Sequence, residues 1–346
     1  MEKTDLTLNT DPEISIVIPV KNGGPWLDDC LKAIINQTLF SQTEIIVVDS
    51  GSTDESLTII KNYPVCLYTI PPHEYDHGLT RNLGVGFCKG KYVVMTVQDA
   101  KATDDLWLQK MLDGFSLTEK VAGVCGQQIV PHDKDKNPVD WFRPTTEAVT
   151  EVYGFSRNTY QNLSPEKKKA ACSWDNVTAM YQREVLERFP FQKTSYGEDA
   201  VWANDVLKAG YTLVYNTAAR VYHYHYEDWG FMFRRTLTVM YFRYKQFGYL
   251  YQKPKQSFRS FLSMVKQIVT TKDLTIKEKW HWIRYNAQRF NAIKKAHEVF
   301  FIALKSGEKT LDEVHNNYCG KSPVPLTPKM QANAINSLDE TPNIVN

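Results

Sequence analysis

Apolar residues fall in short, largely β-branched runs separated by segments of helical spacing. Ile14-Ser15-Ile16-Val17-Ile18-Pro19 and Ile45-Ile46-Val47-Val48-Asp49 are two such runs. Lacking polar alternation, they suit parallel strands covered on both faces. Between them, residues 26–36 put Leu27, Cys30, Leu31, Ile34 and Ile35 on one helical face, with Asp28 and Asp29 near the helix start. After Asp49 comes Ser50-Gly51-Ser52-Thr53-Asp54, turn and N-cap chemistry, and residues 55–62 are expected to return as a helix. The same alternation predicts strands at 65–70, 92–97 and 121–130, and helices at 79–89 and 107–115. The pattern loosens over 131–171, read as a lid or acceptor insertion. It resumes at 176–181, followed by helices at 183–188 and 200–209 and strands at 211–215 and 220–224. Beyond Trp229 the chain reads as helical. The expected organisation is an N-terminal arm (1–13), an α/β domain (14–228), a basic helical module (229–318) and a loose tail (319–346).

Composition narrows the class. The chain has 346 residues, 42% of them hydrophobic, which is enough for one large α/β domain with an extension. No apolar run approaches the roughly 18 residues that span a bilayer, and the polar, acidic start reads as something other than a signal peptide. The six cysteines are scattered with no CxxC, as expected of reduced thiols in a cytosolic protein. Charge is unevenly spread. Residues 1–228 carry 22 basic against 31 acidic side chains, whereas 229–309 carry 17 against 4. That change marks a module boundary near Trp229 and a different environment beyond it.

In open α/β sheets, ligands gather beyond the carboxyl ends of the strands. Asp49, Arg81 with Asn82, Asp99, and Glu198 with Asp199 are all expected there. Each has a plain alternative: a turn acid, a solvated cation, a helix N-terminal cap. His223 and His225 alternate, so on a strand they share a face. They cannot make a zinc site unaided, because no Cys or third His has suitable spacing.

The ordered motifs IVIPVKNGG, IIVVDSGSTD, TRNLGVGFCKGKYVVMTVQDA and YGEDAVWANDVLKAGY resemble those of a family 2 glycosyltransferase over residues 14–228. HGLTRN, QDA and HYHY are similar to the rhamnosyltransferase branch. The resemblance implies a GT-A nucleotide-diphospho-sugar transferase fold, mostly parallel with helices on both faces. It implies donor contacts from Pro19, Lys21, Asn22, Asp49, Gly51, His77, Arg81, Asn82 and Gln98, with Asp49 reading the nucleobase and Arg81 suited to phosphate oxygens. It implies Asp199 as general base with Glu198 beside it. Trp174, Asp175 and Asn176 would approach the acceptor, with Tyr160, Trp141 and Phe142 as sugar-stacking faces. The chain departs from the family at Gln98-Asp99-Ala100-Lys101, where an Asp-x-Asp is usual. A single acid, helped by His225, is expected to hold Mg²⁺ or Mn²⁺ only once phosphates complete the shell, with Lys101 supplying part of the charge.

The implied reaction is inverting transfer of L-rhamnose from dTDP-rhamnose to a surface polysaccharide or lipid-linked saccharide. A UDP-hexose or UDP-N-acetylhexosamine donor, or a non-catalytic nucleotide-sugar-binding subunit, are the alternatives. A dinucleotide oxidoreductase fits poorly, since no GxGxxG follows the first strand. The stretch 231–269 mixes Phe, Tyr and Leu with Arg and Lys, as interfacial helices do, which points to the inner face of a membrane. The bland alternative is packing on the α/β domain. Nothing resembles a nucleic-acid-binding signature, and a homodimer through the C-terminal helices is left open.

Overall fold

A computed structural model describes residues 2–5, 11–133, 135–140, 147–194, 196–252 and 258–320. The chain divides into two compact units, residues 1–129 with 146–223 and residues 130–145 with 224–346.

The first unit opens with β1 (Glu2–Asp5), β2 (Ile14–Val20), α1 (Gly24–Ile35), β3 (Thr43–Asp49), α2 (Ser56–Ile60) and β4 (Cys66–Thr69). It continues through α3 (His77–Val85), β5 (Tyr92–Thr96), β6 (Lys101–Ala102), α4 (Trp107–Asp113) and β7 (Val121–Ile129). After the excursion into the second unit come β8 (Thr150–Gly154), α5 (Arg157–Gln161), α6 (Pro165–Ala171), β9 (Thr178–Gln182), α7 (Arg183–Arg188), α8 (Glu198–Lys208) and β10 (Thr212–Tyr222). Ten strands among the described residues form one mixed sheet, ordered β1-β4-β3-β2-β5-β9-β7-β10-β6 with β8 also on β10. Strands β4, β3, β2 and β5 run parallel, as do β7 and β10, while β9 runs antiparallel to both of its neighbours, β5 and β7.

Strands β2 and β3 are buried along their whole length, which is why they read as continuous apolar runs. Their core joins Leu27, Leu31 and Ile34 of α1 to Trp107, Leu108 and Met111 of α4. The two strands expected at 211–215 and 220–224 are one strand, β10, with a register shift between Tyr215 and Arg220. The bulge breaks the alternation and makes one strand look like two. β10 stops at Tyr222, so His223 and His225 lie past its end rather than on it; only the His223 N–H still bonds to Ile129 O, at 3.0 Å.

The second unit holds α9 (Trp229–Phe247), α10 (Phe258–Thr270), α11 (Ile276–Lys305) and α12 (Glu308–Cys319). The segment 131–171 is divided between the units. Val130 and Val139 pack with Tyr224, Tyr226, Ile268, Trp282 and Tyr285 in the helical unit, while 150–171 stay with the sheet. Reciprocal amide bonds between Asn137 and Asn286, at 3.0 and 2.9 Å, and an Arg289–Asp140 ion pair at 2.5 Å hold the excursion to α11. The apolar face of α9 is covered within its own unit. Met232, Phe233, Leu237 and Met240 pack on Ala292, Ala296 and Phe300 of α11, because small residues there let the helices approach. No helix among the described residues is long and apolar enough to cross a membrane.

Helix α3 lies so close to β2 that a Cβ on Gly84 would stand 2.4 Å from Val17 Cγ1. Overpacking of this kind costs about 1–3 kcal/mol. Gly84→Ala is therefore expected to lower unfolding stability by that amount, measured by urea denaturation at unchanged slope.

Candidate active site

Two strand ends and the loop between them build one wall. The Asp49 carboxylate is fully buried and closes its own turn, accepting from the N–H groups of Gly51 (2.9 Å) and Ser52 (3.0 Å) and from the Ser52 hydroxyl (2.5 Å). This is the turn alternative made real, and it leaves Asp49 holding the loop rather than standing open beside a base. Gly51 has φ +84° and faces Pro72, where a Cβ would meet Cγ at 2.7 Å. Asn22, at φ 51°, donates its N–H to Ser52 Oγ and accepts from Thr53 N–H, so the β2 and β3 loops are laced together. Gln98 grips the exposed Lys21 by its backbone, accepting from its N–H at 2.8 Å and donating to its carbonyl at 3.1 Å. Pro19 is buried in β2.

The opposite group forms where α8 starts. Gly197, at φ 73°, turns the chain into the helix and brings Glu198 and Asp199 into its first turn. Glu198 is buried and pairs with Arg81 of α3 at 3.0 Å; the same oxygen accepts from Asn176 Nδ2 at 3.1 Å. Asn176 accepts in turn from the Tyr181 hydroxyl (2.5 Å), which accepts from the Trp174 indole N–H (2.7 Å). Arg81 was expected on donor phosphates; its guanidinium is instead buried against Glu198 and the His77 carbonyl. Trp174 packs on Trp202, Tyr181 and Tyr215 and is 3% exposed, so it presents no face to a sugar. Tyr160 is likewise buried, bonded to Asn204, and Trp141 and Phe142 lie outside the described residues. Asn82 clamps both backbone groups of Phe191, which is a structural role. His77 receives or donates one bond with Tyr75, and burial pulls its pKa down.

Asp199 remains at the mouth of this group. Its oxygens accept from Ala200 N–H (2.7 Å) and, more weakly, from Asn176 N–H (3.4 Å). Although an edge of the residue reaches solvent, desolvation is the main force on it, followed by the charges of Glu198 and Asp175. Together they push its pKa up to about 8. The helix N-terminus and Arg81 pull the other way and lose, because Arg81 is already committed to Glu198.

A third group surrounds Asp99. Its Oδ1 lies 3.5 Å from His223 Nε2. A carboxylate and an imidazole at that separation are able to ligate one divalent ion together. Sequence reasoning preferred His225, which belongs to the second unit. Lys101, expected to assist Asp99, instead lies 3.6 Å from Asp29 at the surface. Asp175 spends both oxygens, one on Val177 N–H and one on the Gln128 amide. Gln128 went unnoticed in the sequence; its only signal is a polar residue at the end of a buried strand.

The family model for glycosyl transferase family 2 matches residues 15–189. The O-antigen chain rhamnosyltransferases WbaN of Salmonella anatum and RfbN of Salmonella typhimurium are 31% and 32% identical, each aligned over 62% of this chain and 67% of the relative. The mannosyltransferase PcManGT from Pyrobaculum calidifontis, solved with GDP-Man and Mn²⁺, superposes with a TM-score of 0.50 at 16% identity, over 90% of this chain and 80% of that one. The protein is a glycosyltransferase with the GT-A fold. It belongs to family 2, in a rhamnosyltransferase-like group.

An acid whose pKa is raised by folding binds its proton more tightly when folded. The stability it contributes is complete below about pH 4 and is lost as pH rises through about 8. Asp199→Asn is therefore expected to raise the melting temperature at pH 8.5, by a gain of the order of 2 kcal/mol, and to change it little at pH 4. Thermal unfolding at the two pH values measures this. An equal effect at both would remove the raised carboxyl.

Proposed function

We propose that the protein is an inverting rhamnosyltransferase that moves L-rhamnose from dTDP-rhamnose to a surface polysaccharide or a lipid-linked saccharide precursor. The observation that carries the mechanism is the Asp199 carboxylate, raised in pKa and bonded to two backbone N–H groups, beside a Glu198 whose Oε1 is paired with Arg81 and Asn176. The donor sugar is supported by the two O-antigen chain rhamnosyltransferases among its relatives.

Asp199 takes the proton of the acceptor hydroxyl as that oxygen attacks the anomeric carbon. The bond from that carbon to the diphosphate oxygen breaks on the opposite face, so configuration inverts and nucleoside diphosphate leaves. A base near pKa 8 is stronger than an ordinary carboxylate and is still largely ionised in mildly alkaline solution. Glu198, Arg81 and Asn176 keep it in place. Asp99 and His223 offer a carboxylate and an imidazole for a divalent ion. Bound with the donor, such an ion would supply positive charge to the departing diphosphate. Lys21, Asn22 and Gln98, joined by the hydrogen bonds of the loops after β2 and β3, would contact the donor's nucleotide half.

Calorimetry with dTDP-rhamnose, UDP-glucose and UDP-N-acetylglucosamine, each with Mn²⁺ or EDTA, tests the donor. Only dTDP-rhamnose is expected to bind, and more tightly with Mn²⁺; a UDP-sugar binding better would replace the donor, and no binding would favour a scaffold subunit. Asp199→Asn should retain donor binding and lose about 10²–10⁴ in turnover. In the wild type, kcat/KM should rise with pH toward about 8. Unchanged turnover in the variant ends the mechanism.

A lipid-linked acceptor is supported by a surface of the second unit. Leu262, Val269, Ile276 and Trp280 are exposed, Ile276 at 78% and Trp280 at 64%. Arg259, Lys266, Lys272, Lys277 and Lys279 lie along the same stretch of α10 and early α11. Exposed apolar side chains in a stretch with five cations against two acids, Asp273 and Glu278, suit an anionic bilayer surface. The protein is expected to co-sediment with phosphatidylglycerol-containing vesicles, much less with pure phosphatidylcholine, and Ile276→Ser with Trp280→Ser should weaken this several-fold. Equal retention by both vesicle types would remove the surface from the account.

A further inference from the structure

The third group of the site contains a hydrogen-bond order that has only one consistent arrangement. The Asp175 carboxylate can only accept, so the Gln128 group facing its Oδ2 is the NH₂. That turns Gln128 Oε1, an acceptor, toward His223 Nδ1 at 2.6 Å. Nδ1 must therefore carry a proton. In the neutral ring Nε2 is then an unprotonated acceptor, and it lies 3.5 Å from the Asp99 carboxylate. A lone pair and a carboxylate facing each other at that distance are able to share a cation, whereas a doubly protonated ring would donate to Asp99 itself.

We propose that Gln128 is a positioning residue: oriented by Asp175, it holds His223 in the Nδ1–H tautomer and so presents Nε2, beside Asp99, as a cation ligand. Ligating histidines commonly give their second N–H to a fixed acceptor, which sets both ring angle and tautomer. Here the acceptor is an amide rather than a carboxylate, and its orientation comes from an acid at the other end. The Val177 N–H in turn fixes Asp175 through Oδ1, at 2.9 Å. Asp175 also lies close enough to Asp199 for its charge to act there. One short run of side chains therefore ties the cation ligand to the neighbourhood of the base. This rests on the reading of Asp99 and His223 as cation ligands.

The test pairs two variants and two readouts. Gln128→Leu removes the acceptor. Gln128→Glu combined with Asp175→Asn reverses the donor and acceptor between those two positions while leaving an acceptor toward His223. The amide introduced at position 175 still receives Val177 N–H on its carbonyl, and its NH₂ donates to the carboxylate introduced at position 128. Imidazole ¹⁵N NMR of the metal-free protein should show His223 as Nδ1–H in the wild type and the double variant, and as a tautomer mixture in Gln128→Leu. Mn²⁺ affinity, followed by electron paramagnetic resonance with Mn²⁺ alone and with Mn²⁺ plus nucleoside diphosphate, should fall about 10-fold or more in Gln128→Leu and recover in the double variant. An Nε2–H tautomer in the wild type would overturn the proposal, as would equal Mn²⁺ affinity in Gln128→Leu or a double variant as weak as Gln128→Leu. Wild-type protein that binds no Mn²⁺ yet loses the Nδ1–H tautomer in Gln128→Leu would overturn the cation assignment alone.

Discussion

Three carboxylates, Glu198, Asp199 and Asp175, crowd the start of α8, and the buried cation that pairs with them is Arg81. The rest of the site follows from how that imbalance is resolved. Arg81 goes to Glu198, and Asn176 joins the same oxygen, so Glu198 Oε1 is held from two sides. Asp175 takes a backbone N–H and an amide. What is left over falls on Asp199, which stays close to its neighbours' charge with little to neutralise its own. A buried ion pair is weak evidence for stability, because desolvation offsets much of the attraction, but losing one partner leaves a bare charge inside. The Arg81–Glu198 pair is better understood as an arrangement that keeps one acid ordered so that the adjacent one can be strained.

The same pair ties three elements together. Arg81 comes from α3, Glu198 from α8, and Asn176 from the turn before β9, while Tyr181 and Trp174 extend the contact into the aromatic core around Trp202. A shift of α8 would have to break hydrogen bonds and repack aromatic rings at once. Precision of this kind is what positioning catalysis demands, where small displacements of the base are costly. The loops after β2 and β3 are laced by backbone groups and short polar side chains, which hold their shape.

Much of the fold was legible in the sequence, and the failures have physical causes. Continuous apolar runs announced β2 and β3 because both faces of a central strand are covered. The bulge in β10 disguised one strand as two. Amphipathic spacing in 231–247 announced a helix but not its partner: an apolar stripe with basic flanks looks the same whether it meets a bilayer or the alanines of α11. Motif order marked Asp199, Glu198, Asp99 and Asp175 as functional positions, yet it assigned Arg81 and Trp174 to ligands when each is spent on protein.

Taken by itself, the sequence determined the alternation of strands and helices, the break in charge near Trp229 and the strand ends at which acids and histidines fall. These depend on local periodicity and on residue type, and both are written in consecutive positions. Only the tertiary structure decided which acid is paired and which is left strained, and that Gln128 stands between Asp175 and His223. Those partners are 47 and 95 residues away from it along the chain. Hydrogen bonding and charge pairing are set by distance in space, and the mixed order of the sheet, which local pattern does not encode, is what brings such residues together.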